Sequence, residues 1–502
     1  MNAIAGMEGK DLNTGGNASR LYGFNPATGT SLPVNYVTNF RRSDNGFQAT
    51  IPRLESVSGT TIRFLSMYAN AAYTYRKKYT FSSSIRKDGS NILGVNTNQK
   101  FVPLWSSGAS WILSEEAFYN WAAVPFIRLK LTYGVNGNVN QSTAAMPTAF
   151  FRQGSRISNI SYLALNSPGN PDLRWEKINI LNAGIDLESK NGRVLANMEV
   201  FWKKGTDLIG DSPLPASVGV TTLRGNFADT RTRGFDLSLT TRNIDTKIIW
   251  TSTWILSHIN EKVTSYKGRH PVTSLLSYGA STFGITPFPI VGNPLNTVYS
   301  VPYAGLEPAT GNPMGYLNGE PSTNYAAIFS ALTPQDLINS GSGRPTWFGA
   351  FRNDVSWRRF TLSANISFRF GYVFRRPTVN YQTLLTGHTT HRDYESRWKE
   401  PGDELSTDIP SLPATINAAR ELFYRNSIGL VENASNIRWQ DLRLAYSLGN
   451  GNNQSRRKIP GEIFLYGNNL GILWKATKTD LDPDFRTTRP LSSLTFGIQL
   501  QL

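Results

Sequence analysis

Leu65-Ser66-Met67-Tyr68-Ala69-Asn70-Ala71-Ala72-Tyr73-Thr74-Tyr75-Arg76-Lys77-Lys78-Tyr79-Thr80-Phe81-Ser82-Ser83-Ser84-Ile85-Arg86 carries the pattern on which the reading of the whole chain turns. Leu65, Met67, Ala69, Ala71, Tyr73 and Tyr75 alternate with Ser66, Tyr68, Asn70, Ala72, Thr74 and Arg76. Beyond the Lys77-Lys78 turn, Tyr79, Phe81, Ser83 and Ile85 alternate with Thr80, Ser82, Ser84 and Arg86. Side chains on a strand point to opposite faces in turn, so a period of two gives an antiparallel sheet that is dry on one face and wet on the other. Soluble sandwiches alternate as well, so a single hairpin does not decide. Its repetition along 502 residues does.

Working outward, Trp105, Ala109, Trp111 and Leu113 form a dry stripe. Ile127, Leu129, Leu131, Tyr133 and Val135 then alternate with Arg128, Lys130, Thr132 and Gly134. Leu181, Ala183, Ile185 and Leu187 run into a Lys190-Asn191-Gly192 turn, followed by Ala196, Met198, Val200 and Trp202. Asn-Gly between two alternating runs is a strong hairpin signal. Phe235, Leu237 and Leu239 oppose Asp236, Ser238 and Thr240, and a turn near Asn243 leads to Trp250 and Trp254. After the Trp357-Arg358-Arg359 turn, Leu362, Ala364, Ile366, Phe368 and Phe370 oppose Ser363, Asn365, Ser367 and Arg369. With further strands at residues 1–8 and 348–355, Leu442, Leu444 and Tyr446, then residues 463–473, then Leu494, Phe496, Ile498, Leu500 and Leu502 complete about fourteen strands.

The connectors have two lengths. Residues 11–60, 138–174, 209–229, 262–345, 372–435 and 475–490 read as long polar loops, whereas Lys77-Lys78 and 190–193 are short joins. An up-and-down sheet puts all joins of one kind at one end. Long loops outside and short turns on the periplasmic side mark a bacterial outer-membrane barrel. Loops this long count against a compact soluble domain.

Composition agrees. Mean hydropathy is −0.31, and no apolar run approaches a helical membrane span. Barrel strands show lipid only at alternate residues, so that average is expected of them. The absence of cysteine removes disulfides, thiolate catalysis and cysteine metal sites. The formal charge of +16 raises nucleic acid as a partner, but the cations do not gather on one motif. They fall at short turns (Arg76, Lys77, Lys78; Lys190, Arg193; Arg358, Arg359; Arg456, Arg457, Lys458) or at inward strand positions, which fits a solvated rim and a wet lumen. Met1 is not followed by a basic stretch, an apolar core and a cleavage site, so a signal peptide is not expected in this chain.

A family resemblance rests on motifs spread along the chain: Arg86-Lys87-Asp88-Gly89-Ser90, Trp111-Ile112-Leu113-Ser114-Glu115-Glu116 and Leu131-Thr132-Tyr133-Gly134-Val135-Asn136-Gly137-Asn138. Asn170-Pro171-Asp172-Leu173-Arg174-Trp175-Glu176-Lys177, Pro213-Leu214-Pro215-Ala216, Asn226 and Arg233-Gly234-Phe235-Asp236 follow, then Tyr466-Gly467-Asn468-Asn469-Leu470 and Asp480-Leu481-Asp482-Pro483-Asp484. In this order the chain resembles the C-terminal barrel half of a SusC/RagA-type TonB-dependent outer-membrane transporter of Bacteroidetes. The resemblance implies about 14 of an expected 22 strands, with the plug, signal peptide and first strands not present in residues 1–502. It also implies import of oligosaccharides or peptides, a SusD-like surface lipoprotein and the TonB complex as partners, and no cofactor. A docking scaffold that does not transport is the alternative.

Chemical motifs are few. No G-x-S-x-G elbow, P-loop or G-x-G-x-x-G is present, so an enzyme is not expected. His388-x-x-His391 with Asp393 has metal-like spacing but reads as an ordinary polar loop. Asp480, Asp482 and Asp484 read as turn-stabilising carboxylates that cap nearby N–H groups. Arg128, Lys130, Asp186, Asp236, Arg369 and Arg443 are candidates to line the lumen. Tyr299, Tyr303, Tyr381, Tyr394 and Trp398 are candidates for ligand or partner contact from the long loops, where rings stack on sugars or grip a peptide.

Overall fold

The computed structural model describes the chain except residues 44–45, 53, 94–100, 141–144, 153–159, 216, 218, 221, 269–271, 278–288, 387–389, 449–460, 487–488 and 501–502. His388, Arg456, Arg457, Lys458 and Leu502 therefore lie outside the described residues.

One 14-stranded antiparallel sheet dominates, and its strand order is the chain order. Its strands are β1 (Asn2–Ser19), β2 (Glu55–Tyr75), β3 (Tyr79–Ser90), β4 (Phe101–Ile112), β5 (Phe126–Asn138), β6 (Glu176–Glu188) and β7 (Val194–Pro213). They continue with β8 (Thr222–Asp245), β9 (Ile248–Tyr266), β10 (Trp347–Trp357), β11 (Phe360–Phe370), β12 (Asn436–Ser447), β13 (Gly461–Lys475) and β14 (Ser493–Leu500). Every neighbour in space is a neighbour in sequence, the simplest topology available to antiparallel strands. The outer strands β1 and β14 each have one hydrogen-bonded neighbour among the described residues, so the sheet has two open edges.

The register carries the alternation across strands. Tyr79 faces Trp111, which faces Leu129, then Ile185, Met198, Leu237, Leu256, Gly349 and Phe368 in turn. The opposite face runs from Arg128 through Asp186, Asn197, Ser238, Ile255 and Ala350 to Ser367. A slip of one residue would exchange the two sets, so the apolar face itself specifies the pairing. Aromatic rings border the apolar face. At the short-turn end Tyr75, Tyr79 and Trp111 stack in series with centroids 6.5 and 6.3 Å apart. At the long-loop end Trp105 meets Tyr133 edge-on, and Trp347 stacks on His258 at 4.1 Å.

Strand lengths depart from the sequence expectation. The connectors expected at 11–60 and 209–229 are shorter than that: β1 pairs with β2 as far as Ser19 and Glu55, and β7 pairs with β8 as far as Pro213 and Thr222. Above the apolar band both faces are polar, so the alternation fades while backbone pairing continues. The turn expected near Asn243 lies at 246–247, and the register shift between Arg242 and Ile244 is a bulge that displaces it.

Two close strand approaches depend on glycine. A β-carbon on Gly234 would stand 2.2 Å from the His258 carbonyl oxygen and 2.6 Å from the Phe201 ring, which lies across it. One on Gly349 would stand 2.0 Å from the Ile255 carbonyl oxygen. Gly234→Ala and Gly349→Ala are each expected to destabilise the sheet by about 1–3 kcal/mol, the usual cost of forcing atoms into a filled site. The readout is the temperature at which the folded band of the membrane-extracted protein shifts on a denaturing gel. An unchanged temperature for both variants would mean that the strands can separate freely there.

Candidate functional site

The polar face of the sheet is a ladder of ion pairs built by alternation. Asp186 on β6 receives the Arg128 guanidinium at 2.7 Å and the Lys130 ammonium at 3.0 Å, both from β5, with Asn197 of β7 bonded to its other side. Lys130 also reaches Glu199 at 3.1 Å. Next along the sheet, Ser257 donates to Asp236 at 2.5 Å. Arg352 forks onto Asp354, which also accepts from Ser363, and Asn365 donates to Asp441 at 3.0 Å. Arg443 pairs with Glu462 while lying over the Phe464 ring. These groups are half-exposed, so each pair adds little stability. Together they keep a charged face hydrated and close to neutral.

A second network sits at the long-loop end, where charge is buried. Arg438 of β12 is enclosed, and its guanidinium forks onto Asp482 and reaches Asp484 at 2.7 Å. Arg369 binds Asp484 at 2.8 Å, and the Tyr372 hydroxyl donates to the same carboxylate at 2.6 Å. Burial works against charge on Asp482, but the Arg438 guanidinium and the N–H groups of Asp484 and Phe485 outweigh it and hold the carboxyl below its ordinary range. At the long-loop end of β6–β8 Arg174, just before β6, pairs with Asp207, Arg224 with Asp211 at 2.7 Å, and the Asn226 amide bonds the carbonyls of Arg174 and Asp207.

Above these networks, the connectors between β9 and β10 and between β11 and β12 fold into one packed cap. Thr297–Ser300 pairs with Ile338–Ser342, Val373–Arg375 pairs with Val431–Asn433, and a bridge joins Val301 to Ser427. Leu276, Tyr299, Val301, Tyr325, Ile328 and Phe423 form its core. The helix Ala418–Arg425 starts where the Asn417 side chain accepts from the N–H groups of Ala419 and Arg420. Arg420, buried, pairs with Glu421 at 3.1 Å and clamps the Ser411 carbonyl and the Asn312 side chain. Glu421 accepts the Tyr381 N–H at 2.9 Å; burial nevertheless pushes its carboxyl up.

The register puts Arg128, Lys130, Asp186, Asp236, Arg369 and Arg443 on the same, polar face, as alternation requires. The five loop aromatics do not form one surface. Tyr299, Tyr381 and Trp398, candidates for ligand or partner contact, are 2%, 1% and 7% exposed and pack inside the cap. The Tyr381 hydroxyl donates to the Pro410 carbonyl at 2.6 Å, and the Trp398 indole donates to Glu404 at 3.1 Å. Tyr303 and Tyr394 are half-buried, Tyr394 beneath the Arg397 guanidinium. A ring in a long loop reads the same in sequence whether the loop is open or packed.

Asp482 caps backbone N–H groups as expected, but its pairing with Arg438 was not foreseen. Alternation counted back from Leu442 and Leu444 would put Arg438 on the apolar side; the register shift between Trp439 and Asp441 returns it to the face of Arg369, so the sequence carried no signal for it. Arg420 and Glu421 left no trace either, since their helix is only two turns long and lies inside a long connector. The Asp393 carboxylate is occupied by Arg376 at 2.5 Å and Thr378 at 2.7 Å. Among the described residues no cluster of three or more His, Cys, Asp or Glu side chains could hold a metal.

A meander of membrane-length strands with one apolar face, a charged inner face and a folded cap over long loops defines a bacterial outer-membrane barrel. The family model described as TonB dependent receptor-like, beta-barrel matches residues 5–303, and the chain belongs to that family. Its place is the outer membrane. It is 25% identical over 435 residues to the TonB-dependent receptor P26 of Formosa agariphila, covering 84% of this chain and 42% of that protein. It is 24% identical over 214 residues to the TonB-dependent receptor SusC of Bacteroides thetaiotaomicron, 41% of this chain and 21% of that one. The fold also matches the RagAB peptide importer in its 'open-open' state with a TM-score of 0.73 at 21% identity, over 100% of this chain and 52% of that chain. The chain thus spans about half the length of these relatives or less.

Arg438→Met is expected to loosen the cap by about 3–5 kcal/mol, because it leaves Asp482 charged, buried and unpaired. Limited proteolysis between 372 and 435 reads this out, and adding Asp482→Asn should recover much of the loss. If cleavage is unaltered, the pair does not anchor the cap.

The pH dependence follows from the depressed Asp482 carboxyl. Its stabilisation is complete above the unfolded-state value of about 4 and is lost as pH falls through the lower folded value. Cap protection is therefore expected to hold from pH 7 to 5 and to fail only below about pH 4. Loss of protection already at pH 6 would contradict this assignment.

Proposed function

We propose that the chain forms the C-terminal wall of the barrel of a TonB-dependent importer whose plug, first strands and TonB-contacting segment belong to the rest of the protein. The observation that carries this reading is the continuous charged face from the short turns to the cap, on a sheet whose family is that of TonB-dependent receptors. Oligosaccharides or peptides are captured above the cap with a SusD-like surface lipoprotein, and TonB draws the plug aside. The ligand then passes along Arg128, Lys130, Asp186, Asp236, Arg369 and Arg443. Paired charges suit passage: a polar ligand exchanges water for side chains that stay hydrated, and no single group holds it tightly. No bond is made or broken by this chain.

The open edges of β1 and β14 support the placement of further strands elsewhere, because unpaired backbone groups in hydrocarbon cost several kcal/mol each. The likeness to RagAB supports a barrel of the importer type and leaves both ligand classes in play.

Uptake of labelled oligopeptides and oligosaccharides by cells with and without this gene tests the reading, each in the presence and absence of TonB. Uptake of one class that needs both is the expected result. Uptake that persists without TonB, or none of either class, would favour a surface scaffold that does not transport.

A further inference from the structure

The short-turn end of the sheet carries cations that the polar face does not use. Arg76, Lys77, Lys190, Arg193, Lys247, Arg358 and Arg359 are exposed, and none has a carboxylate partner among the described residues. Of the acids at this end, Glu116 is taken by Lys78 at 3.4 Å and Asp245 by Arg242 at 3.0 Å, which leaves Glu115 and Glu188. The rim is therefore strongly positive. Its charge is spread hairpin by hairpin across β2–β3, β6–β7, β8–β9 and β10–β11 and does not form one patch.

Two geometric observations point to what covers it. The Arg76 guanidinium lies 5.2 Å over the ring of Tyr75, and that of Arg358 lies 5.0 Å over the ring of Trp357. Both rings belong to the apolar face, so these cations stand where hydrocarbon gives way to water. In addition, Arg76, Lys77 and Arg358 occupy left-handed backbone at φ 49°, 60° and 54°. Such positions are strained for a long side chain and easy for Asn or Gly. The β6–β7 turn uses Asn191 and Gly192 there, at φ 64° and 63°, and keeps its cations outside them. At the other two turns a cation stands where an easier residue would fit.

We propose that this rim binds the anionic phosphate headgroups of phospholipids in the leaflet on the turn side of the membrane. A line of cations beside an aromatic border matches a flat sheet of headgroups, whereas a folded protein partner would need a compact patch. The proposal rests on the location of the sheet in the outer membrane and is independent of the transport reading. The test therefore contains no transport step.

The full-length protein is reconstituted in vesicles of equimolar phosphatidylglycerol and phosphatidylethanolamine and re-extracted in mild detergent, and the retained lipid is measured by mass spectrometry. Phosphatidylglycerol is expected to be enriched roughly fivefold for each cation engaged, with the enrichment falling as salt rises. The triple variant Arg76→Asn, Lys77→Gly, Arg358→Asn should lose most of the enrichment while its heat-shift temperature holds or rises, because the strain is relieved. A second variant, Arg76→Lys with Arg358→Lys, keeps the charge and should keep the enrichment. Equal retention of the two lipids by the unaltered protein, or enrichment that survives in the triple variant, would overturn the proposal.

Discussion

The backbone hydrogen-bond ladder is the constraint on which the rest of this protein depends. In hydrocarbon no water accepts or donates, so each N–H and C=O in a crossing strand must pair with a neighbouring strand. An antiparallel meander meets that demand with the shortest joins, and here every strand lies beside its sequence neighbour. The ladder also explains why β7 and β8 remain paired beyond the apolar band, through two register shifts, until Pro213 meets Thr222.

Once the ladder exists, alternation separates two chemistries across one backbone. The apolar face is bordered by rings such as Tyr79, Trp111 and Trp347, while the other face carries Arg128, Lys130, Asp186 and their partners. Charge is handled differently along the strand axis. In mid-sheet the pairs are half-exposed and interchangeable. At the long-loop end Arg438, Asp482 and Asp484 are enclosed, and removal of one member would strand the others in a poorly polarisable site. The enclosed set ties the 476–490 connector to β11 and β12 beneath the cap.

The sheet and the two faces were legible in the sequence because period-two alternation is local. Leu129 and Arg128 declare their sides without knowledge of any neighbour. The strand ends were less legible, since the polar pattern of Asp11–Ser19 is that of a loop until β2 is placed beside it. The cap was not legible. Tyr299, Tyr381 and Trp398 look like a binding surface in one dimension, yet each is buried by residues distant in the chain, as when the Tyr381 hydroxyl reaches Pro410 and its N–H reaches Glu421.

By itself, then, the sequence determined the membrane-type meander, about fourteen strands, the side on which residues of the regular strand stretches lie and the family motifs. All of these are set by short-range periodicity and by order along the chain. Tertiary structure alone decided which carboxylate each arginine meets, which glycines admit a neighbouring strand, and whether loop aromatics face a ligand or one another. Those outcomes depend on register and on packing between segments separated by many residues, and no local pattern encodes either.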